Sequence, residues 1–223
     1  MTFRKITYSE AIREATSQAM GLDKNVMVMG QIIDYKPGVF GTTANLLEEH
    51  GKFRVRGFPV SESLMTSAGI GAAIAGQRVI LVHIRIDFMM YAMDAIVNWL
   101  SLWRFKSDNR SNVPLVIRAI VGKGWGQGPQ HSQSLETLFA HIPGLKVVCP
   151  SSPEDAKGMM ISSIMDKNPV ILFIVSSGLI FGQVFLSIII FLFILFIAPI
   201  SSNSLIFLLA VSFGILRDLD ISI

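Results

Sequence analysis

The chain has a single cysteine among its 223 residues. One thiol excludes both an internal disulfide and a metal centre built from several thiolates. Cys149 lies in the apolar run 145–149, which predicts a buried strand, and we interpret it as a small core residue rather than a nucleophile. No apolar segment follows the basic residues Arg4 and Lys5, so we expect no signal peptide and a cytoplasmic location.

Charge is also scarce. The 19 Lys and Arg nearly balance the 16 Asp and Glu. The chain has no block of basic residues of the kind that binds nucleic acid, which argues against a nucleic-acid partner. From residue 168 to residue 216 there is no charged side chain at all.

The uncharged region contains a long apolar run at residues 179–198, and about 20 such residues are enough to cross a bilayer. Two interpretations stay open for it. One is a transmembrane anchor, which would place the chain at a membrane. The other is a tail joined to the preceding sequence by a frameshift or truncation.

Helical and extended patterns alternate from residue 7 to residue 174. Thr7 and Glu10 form a capping-box pattern, and Ser152 with Pro153 predicts another helix start. Apolar runs predict buried strands at residues 26–30, 78–84, 113–120, 145–149 and 168–174. Further helices are expected at residues 88–105 and 132–141.

Strands that are apolar throughout are typical of parallel sheets covered on both faces. The predicted fold class is therefore α/β, a doubly wound, mainly parallel sheet with helices on both faces, plus a hydrophobic C-terminal helical tail. We assign residues 1–174 to the α/β domain and residues 175–223 to the tail. Ligands of such folds bind beyond the carboxyl ends of the strands.

Two polar residues are expected at that edge of the sheet. Glu62 begins a helix rich in small residues, and His131 lies in a polar segment after the strand at 113–120. A carboxyl group there can exchange a proton with a ring nitrogen, and a histidine can steer a carboxylate or shuttle a proton. The alternative for Glu62 is that its charge only complements the helix dipole.

Residues 3–174 resemble the pyrimidine-binding domain of the transketolase superfamily, most closely the beta subunits of 2-oxo acid dehydrogenases, their thiamin-dependent decarboxylating component. The matching segments occur in the family's order and spacing: Gly38-Val39-Phe40, Phe58-Pro59-Val60-Ser61-Glu62, Gly69-Ile70-Gly71-Ala72-Ala73, Asp87-Phe88, Asp94-Ala95-Ile96-Val97-Asn98, Gln130-His131-Ser132-Gln133-Ser134, 141–148 and Asp155-Ala156-Lys157-Gly158.

The resemblance implies thiamin diphosphate as the cofactor. Glu62 matches the glutamate that hydrogen-bonds the ring nitrogen of the cofactor's aminopyrimidine and so activates it, and His131 matches a catalytic histidine on the substrate side. Phe88 and Tyr91 match aromatic residues that wall the pyrimidine pocket, although packing into the core is the alternative for both.

Ser163, Asp166 and Asn168 match a loop that holds a structural potassium ion in some relatives. Their side chains and backbone offer oxygen ligands that suit a hard cation. A plain turn between a helix and a strand explains the same residues equally well, so both interpretations stay open.

The chain has no Gly-Asp-Gly signature, the element with which the family holds magnesium and the diphosphate. The resemblance therefore implies an alpha-type partner subunit that supplies this half of the site, together with self-association into a larger assembly. The expected function is that of a beta-type subunit in the decarboxylation and oxidation of a 2-oxo acid. The alternatives are a transketolase-like enzyme of sugar or polysaccharide synthesis, or a non-catalytic, membrane-anchored or degenerate homologue.

Three departures from the family bear on this expectation. Gln31 replaces an acid after Gly30, and the segment Val82–Arg85 lacks the Glu and aromatic residue of many relatives. These two changes put the usual substrate in question. The hydrophobic tail stands where the family continues into a second domain, which puts subunit assembly and activity in question.

Overall fold

The computed structural model describes residues 5–123 and 126–176 of the chain. Six strands form one sheet in the order β2-β1-β3-β4-β6-β5, and every neighbouring pair is parallel. The strands are β1 (Val26–Gln31), β2 (Val55–Phe58), β3 (Arg78–Arg85), β4 (Leu115–Val121), β5 (Lys146–Val148) and β6 (Val170–Val175). The prediction of a mainly parallel sheet is confirmed.

Helices and helical turns connect the strands. They are α1 (Tyr8–Leu22), α2 (Leu46–His50), α3 (Glu62–Ile74), α4 (Ile86–Met89), a 3₁₀ turn (Met90–Ala92), a π-helical turn (Ala95–Leu100), α5 (Trp103–Lys106), a second 3₁₀ turn (Pro129–His131), α6 (Glu136–Ala140) and α7 (Pro153–Met165).

Helices α1 and α7 pack against each other over one face of the sheet. The predicted capping box starts α1: the Glu10 amide donates to Thr7 Oγ1 at 3.3 Å, and the Thr7 amide donates to Glu10 Oε2 at 2.7 Å. The predicted start of α7 is also present, since the Asp155 amide donates to Ser152 Oγ. These reciprocal bonds satisfy amide groups that an uncapped helix leaves without partners.

Helix α3 packs against β3 through its small residues. A Cβ atom at Gly69 would lie 3.3 Å from Leu81 and 3.4 Å from Leu115, so this position is tight even for one added carbon. With helices on both faces, β1, β4 and β6 are buried at every residue. This two-sided burial explains why their sequences do not alternate between apolar and polar residues.

Three details of the local structure differ from the sequence-based expectation. The single helix predicted at 88–105 is divided into α4, a 3₁₀ turn, a π-helical turn and α5, and the helix predicted at 132–141 is reduced to α6 after a 3₁₀ turn. The first segment has apolar residues on most faces, so no single face dictates a continuous helix. Cys149 follows β5 and is half-buried rather than a strand residue of the core.

No helix within the described ranges 5–123 and 126–176 has the length and hydropathy to span a bilayer. The apolar run 179–198 and the predicted C-terminal helical tail lie outside the described residues. The assignment of a separate tail from residue 175 therefore stays a prediction.

Candidate active site

The strand order predicts a ligand-binding position at one edge of the sheet. The chain passes from β1 outward to β2 and then returns across β1 to β3, so the connections leaving β1 and β3 run in opposite directions. Such a switch in direction opens a ligand crevice at the carboxyl ends of the two strands. Gln31 ends β1, Arg85 ends β3, and Glu62 follows β2.

Glu62 is a buried carboxyl group in the first turn of α3. It is 8% exposed, and its Oε1 accepts a hydrogen bond of 3.0 Å from Nε2 of Gln31, which is 2% exposed. Within the described part of the chain no hydrogen bond reaches Oε2. Glu62 therefore has one oxygen fixed by the protein and a second that can accept a hydrogen bond from a ligand.

Thr66 and His83 form a second buried polar contact on the same helix. Thr66 lies one turn after Glu62, and its hydroxyl is 3.0 Å from Nε2 of His83 on β3. Burial lowers the pKa of His83 to about 3, so the imidazole is neutral at physiological pH. His83 is therefore a structural residue of the core.

Arg85 and Asp87 form a buried ion pair where β3 passes into α4. Arg85 Nε donates to Asp87 Oδ2 at 2.8 Å, and both side chains are almost fully buried. A guanidinium nitrogen of Arg85 also donates to the carbonyl of Gly122, and Asp87 Oδ1 accepts a hydrogen bond from the Gln133 amide. The pair thus links the end of β3 to the loop that carries His131.

The structure brings two of the predicted site residues into contact. The rings of Phe88 and His131 meet edge to face, with centroids 5.1 Å apart and planes inclined by 76°. Both residues are half-buried. Tyr91 lies in the 3₁₀ turn that packs against α3, but its side chain is 78% exposed, so it is not a core residue.

Basic side chains already bind the oxygen atoms of the loop that is predicted to hold potassium. The carbonyl of Asp166 accepts from Arg78, its carboxylate pairs with Lys146, and Asn168 Oδ1 accepts from Arg104 at 2.5 Å. Burial opposes ionisation, but the Lys146 ammonium and the Asn168 N–H groups outweigh it and hold the pKa of Asp166 below its usual range. Ser163 is buried nearby on α7. The potassium ion stays a prediction, and these contacts do not favour it.

Sequence reasoning placed Glu62 and His131 beyond the carboxyl ends of the strands, as the structure also does, but it did not identify three polar contacts nearby. Gln31 donates to Glu62, and Arg85 donates to Asp87. The third contact joins the Thr66 hydroxyl to His83. These residues could have been recognised from the sequence because they are polar residues within otherwise apolar segments. A polar residue that is buried in a strand or on a packed helix face needs a hydrogen-bond partner.

Comparisons with known proteins agree with this architecture. Residues 4–178 match the family described as transketolase, pyrimidine binding domain. The chain is 43% identical over 178 residues to the beta subunit of acetoin:2,6-dichlorophenolindophenol oxidoreductase of Cupriavidus necator, covering 75% of this chain and 52% of the relative. It is 40% identical over 168 residues to the beta subunit of 2-oxoisovalerate dehydrogenase of Bacillus subtilis, covering 75% and 51%.

A plant relative gives a similar picture. The mitochondrial pyruvate dehydrogenase E1 component subunit beta-1 of Arabidopsis thaliana is 35% identical over 182 residues, covering 82% of this chain and 50% of the relative. The chain therefore spans about half the length of the curated relatives it matches. A solved structure described as a split gene transketolase, inactive beta4 tetramer, superposes with a TM-score of 0.61 over 77% of this chain and 52% of that one. At 16% identity that likeness concerns the fold alone.

Proposed function

The chain belongs to the family of transketolase pyrimidine-binding domains, and from this premise we propose that it acts as a beta-type subunit of a thiamin-diphosphate-dependent enzyme. It would contribute the half of the cofactor site that binds the aminopyrimidine. The substrate class is a 2-oxo acid or a related acyl donor such as acetoin, in line with the names of the most similar relatives.

The observation that carries the proposal is the environment of Glu62. Gln31 occupies Oε1 from one side, and the amide can only donate at Nε2, so it holds the carboxyl oxygen as an acceptor. The second oxygen is available at the edge of the sheet, where it can accept a hydrogen bond from, or give a proton to, a heteroaromatic ring nitrogen. Glu62 also lies in the first turn of α3, at the positive end of the helix dipole.

Two other residues have roles in the same site. Phe88 presents an aromatic surface against which a flat pyrimidine can stack, a contact worth about 1 kcal/mol beyond the area that it buries. His131, in contact with Phe88, can orient the carboxylate of a 2-oxo acid or move a proton. Tyr91, which is exposed here, would reach the ring only at the rim of the site.

Thiamin diphosphate, when bound, supplies an electron sink for breaking the carbon–carbon bond next to a carbonyl group. The described residues offer no group of three or more acidic, histidine or cysteine side chains that could hold its metal ion. We therefore assign magnesium and the diphosphate to an alpha-type partner subunit. Self-association of the chain into a larger assembly belongs to the same proposal.

A fragment titration tests the proposed role of Glu62 without the partner. The aminopyrimidine moiety of thiamin, as the free 5-hydroxymethyl compound, is titrated into the full chain while amide NMR signals are followed. We expect shifts centred on Gln31 and Glu62, and at least roughly tenfold weaker binding in Glu62→Gln, because a charge-assisted hydrogen bond contributes about 1.5–3 kcal/mol.

Glu154→Gln is the matched control. Glu154 also lies in the first turn of a helix, α7, but it is exposed. It therefore removes an equivalent charge at a helix start without touching the crevice, and binding should stay as in the wild type. Equal affinity in Glu62→Gln and wild type, or shifts remote from the crevice, would refute the assignment.

A further inference from the structure

The loop between residues 122 and 133 is joined at its two ends. The Gly122 amide donates to the carbonyl of Gln133 at 2.9 Å, which brings the start and the end of the loop side by side. Between them, residues 126–130 are exposed, so little packing holds this part of the loop. Contacts made at the joined ends therefore contribute to its position.

Arg85 and Asp87 contact both of these ends. Arg85 is fully buried and donates to the carbonyl of Gly122 at 2.8 Å, while Asp87 accepts from the amide of Gln133 at 3.1 Å. The two side chains bond to each other at 2.8 Å. One buried ion pair thus holds two loop ends against the terminus of β3.

His131 lies two residues before Gln133, and two structural connections link it to the Arg85–Asp87 pair. The first is the short stretch of backbone from His131 to Gln133, whose amide Asp87 holds. The second is Phe88, which follows Asp87 in the sequence and contacts the His131 ring at a centroid distance of 5.1 Å. Both connections therefore involve Asp87.

We propose that Arg85 and Asp87 are positioning residues that hold His131 at the substrate side of the crevice. We call the Arg85–Asp87 pair, with its bonds to the two loop ends, the clamp. The role of His131 itself rests on the proposed function, whereas the geometry of the clamp does not. A buried ion pair contributes little net stability compared with apolar residues, but it defines a unique arrangement because each partner requires the other. In this chain the arrangement it defines is the path of the His131 loop.

The test compares the full chain with the double variant Arg85→Met/Asp87→Ala by NMR. This variant removes both bonds to the loop without leaving an unpaired buried charge. The His131 ring signals are assigned with His131→Gln. We expect the His131 Hε1 signal to lose its shift from the Phe88 ring current. The Gly122 and Gln133 amides should exchange at least about tenfold faster, while those of Ile117 and Ala119 in β4 stay protected.

Asp23→Asn is the control, because it disrupts another Asp–Arg pair, with Arg78, outside the loop. It should leave every His131 signal unchanged. If the double variant keeps its β4 protection together with wild-type His131 signals and loop exchange, the clamp is refuted.

If the double variant does not fold, the single variant Asp87→Asn tests the proposal instead. It keeps an acceptor for the Gln133 amide but removes the charge, so exchange at Gln133 should still rise about tenfold, and an unchanged rate overturns the proposal. None of these measurements involves a cofactor. Failure of the aminopyrimidine titration with an intact clamp would therefore count against the proposed function alone.

Discussion

Arg118 offers a direct test of how the core of this fold tolerates charge. It lies in the middle of β4, between Val82 of β3 and Leu172 of β6, and is 2% exposed. Both terminal nitrogens of its guanidinium lack a hydrogen-bond partner among the residues that the structure describes. Its two strand neighbours belong to the apolar cluster under α1 and α7. A charge in such surroundings destabilises the folded state unless it is paired.

The magnitude follows from the titration of the group. Burial lowers the pKa of Arg118 well below its usual range, to about 9. At about 1.4 kcal/mol for each pKa unit, this corresponds to ~5 kcal/mol against the charged form in the folded protein. Replacing a buried charge by an apolar residue of similar size typically recovers about 1–4 kcal/mol, because the interior relaxes around the charge. We therefore expect Arg118→Met to raise the free energy of unfolding by that amount near neutral pH.

The pH dependence has a definite sign. Because the folded pKa lies below the unfolded one, the cost of the charge is fully present below about pH 9 and is relieved as the pH rises above that value. The stability gained by Arg118→Met should therefore be largest at about pH 7 and smaller at about pH 10.5. Urea unfolding at both pH values measures the difference as a shift in midpoint at constant m-value.

Arg78→Met is the matched control for this experiment. Arg78 is half-buried, but its guanidinium bonds to Asp23 and to the carbonyls of Ile164 and Asp166. The same substitution should therefore lower stability there, since it leaves these acceptors without a donor. A loss of more than about 1 kcal/mol in Arg118→Met at neutral pH would refute the reasoning, because it would show that the guanidinium is paired.

Three further predictions concern the single positions Gly144, Gly158 and Cys149. Gly144 has a φ of +91°, and a Cβ atom there would lie 2.2 Å from the carbonyl oxygen of Ser101, so Gly144→Ala should lower the free energy of unfolding by about 1–3 kcal/mol. Gly158→Ala on α7 has open space and should raise it by about 0.5–1 kcal/mol; equal effects in urea unfolding would contradict this. Burial raises the pKa of Cys149 to about 12, so a disulfide reagent at about pH 8 should label the folded chain far more slowly than the urea-unfolded chain. Equal labelling rates would disprove that expectation.

The strands and capped helices were predictable because local chemistry determines them. Runs such as 26–30 and 168–174 are apolar on both faces, and only a central strand of a covered parallel sheet buries both faces. Thr7 with Glu10 satisfies helix-end amides whatever the rest of the chain does. The edge position of Glu62 followed from the same logic, since it succeeds a strand and begins a helix.

The contacts that organise the crevice could not be predicted in the same way. Residues two apart on a strand point to the same side, but the predicted strand ended at residue 84, which left Arg85 and Asp87 in a connection of undefined geometry. They meet because β3 continues to Arg85 and α4 begins at the next residue, turning Asp87 back toward the guanidinium. Likewise Gln31 and Glu62 are 31 residues apart, and only the return of the chain from β2 across β1 brings the amide to the carboxylate.

The same reasoning explains which part of the proposed site chemistry a sequence can indicate and which part it cannot. A residue type such as Glu62 indicates which proton can be exchanged, but its orientation depends on a partner chosen by topology. Gln31 replaces the acid that the family resemblance implies at this position, and two neighbouring carboxylates would repel each other where the amide instead donates. The departure that put the substrate in question thus preserves a single acceptor oxygen facing the crevice. For this reason removal of the Glu62 carboxylate should weaken binding of an aminopyrimidine at least roughly tenfold.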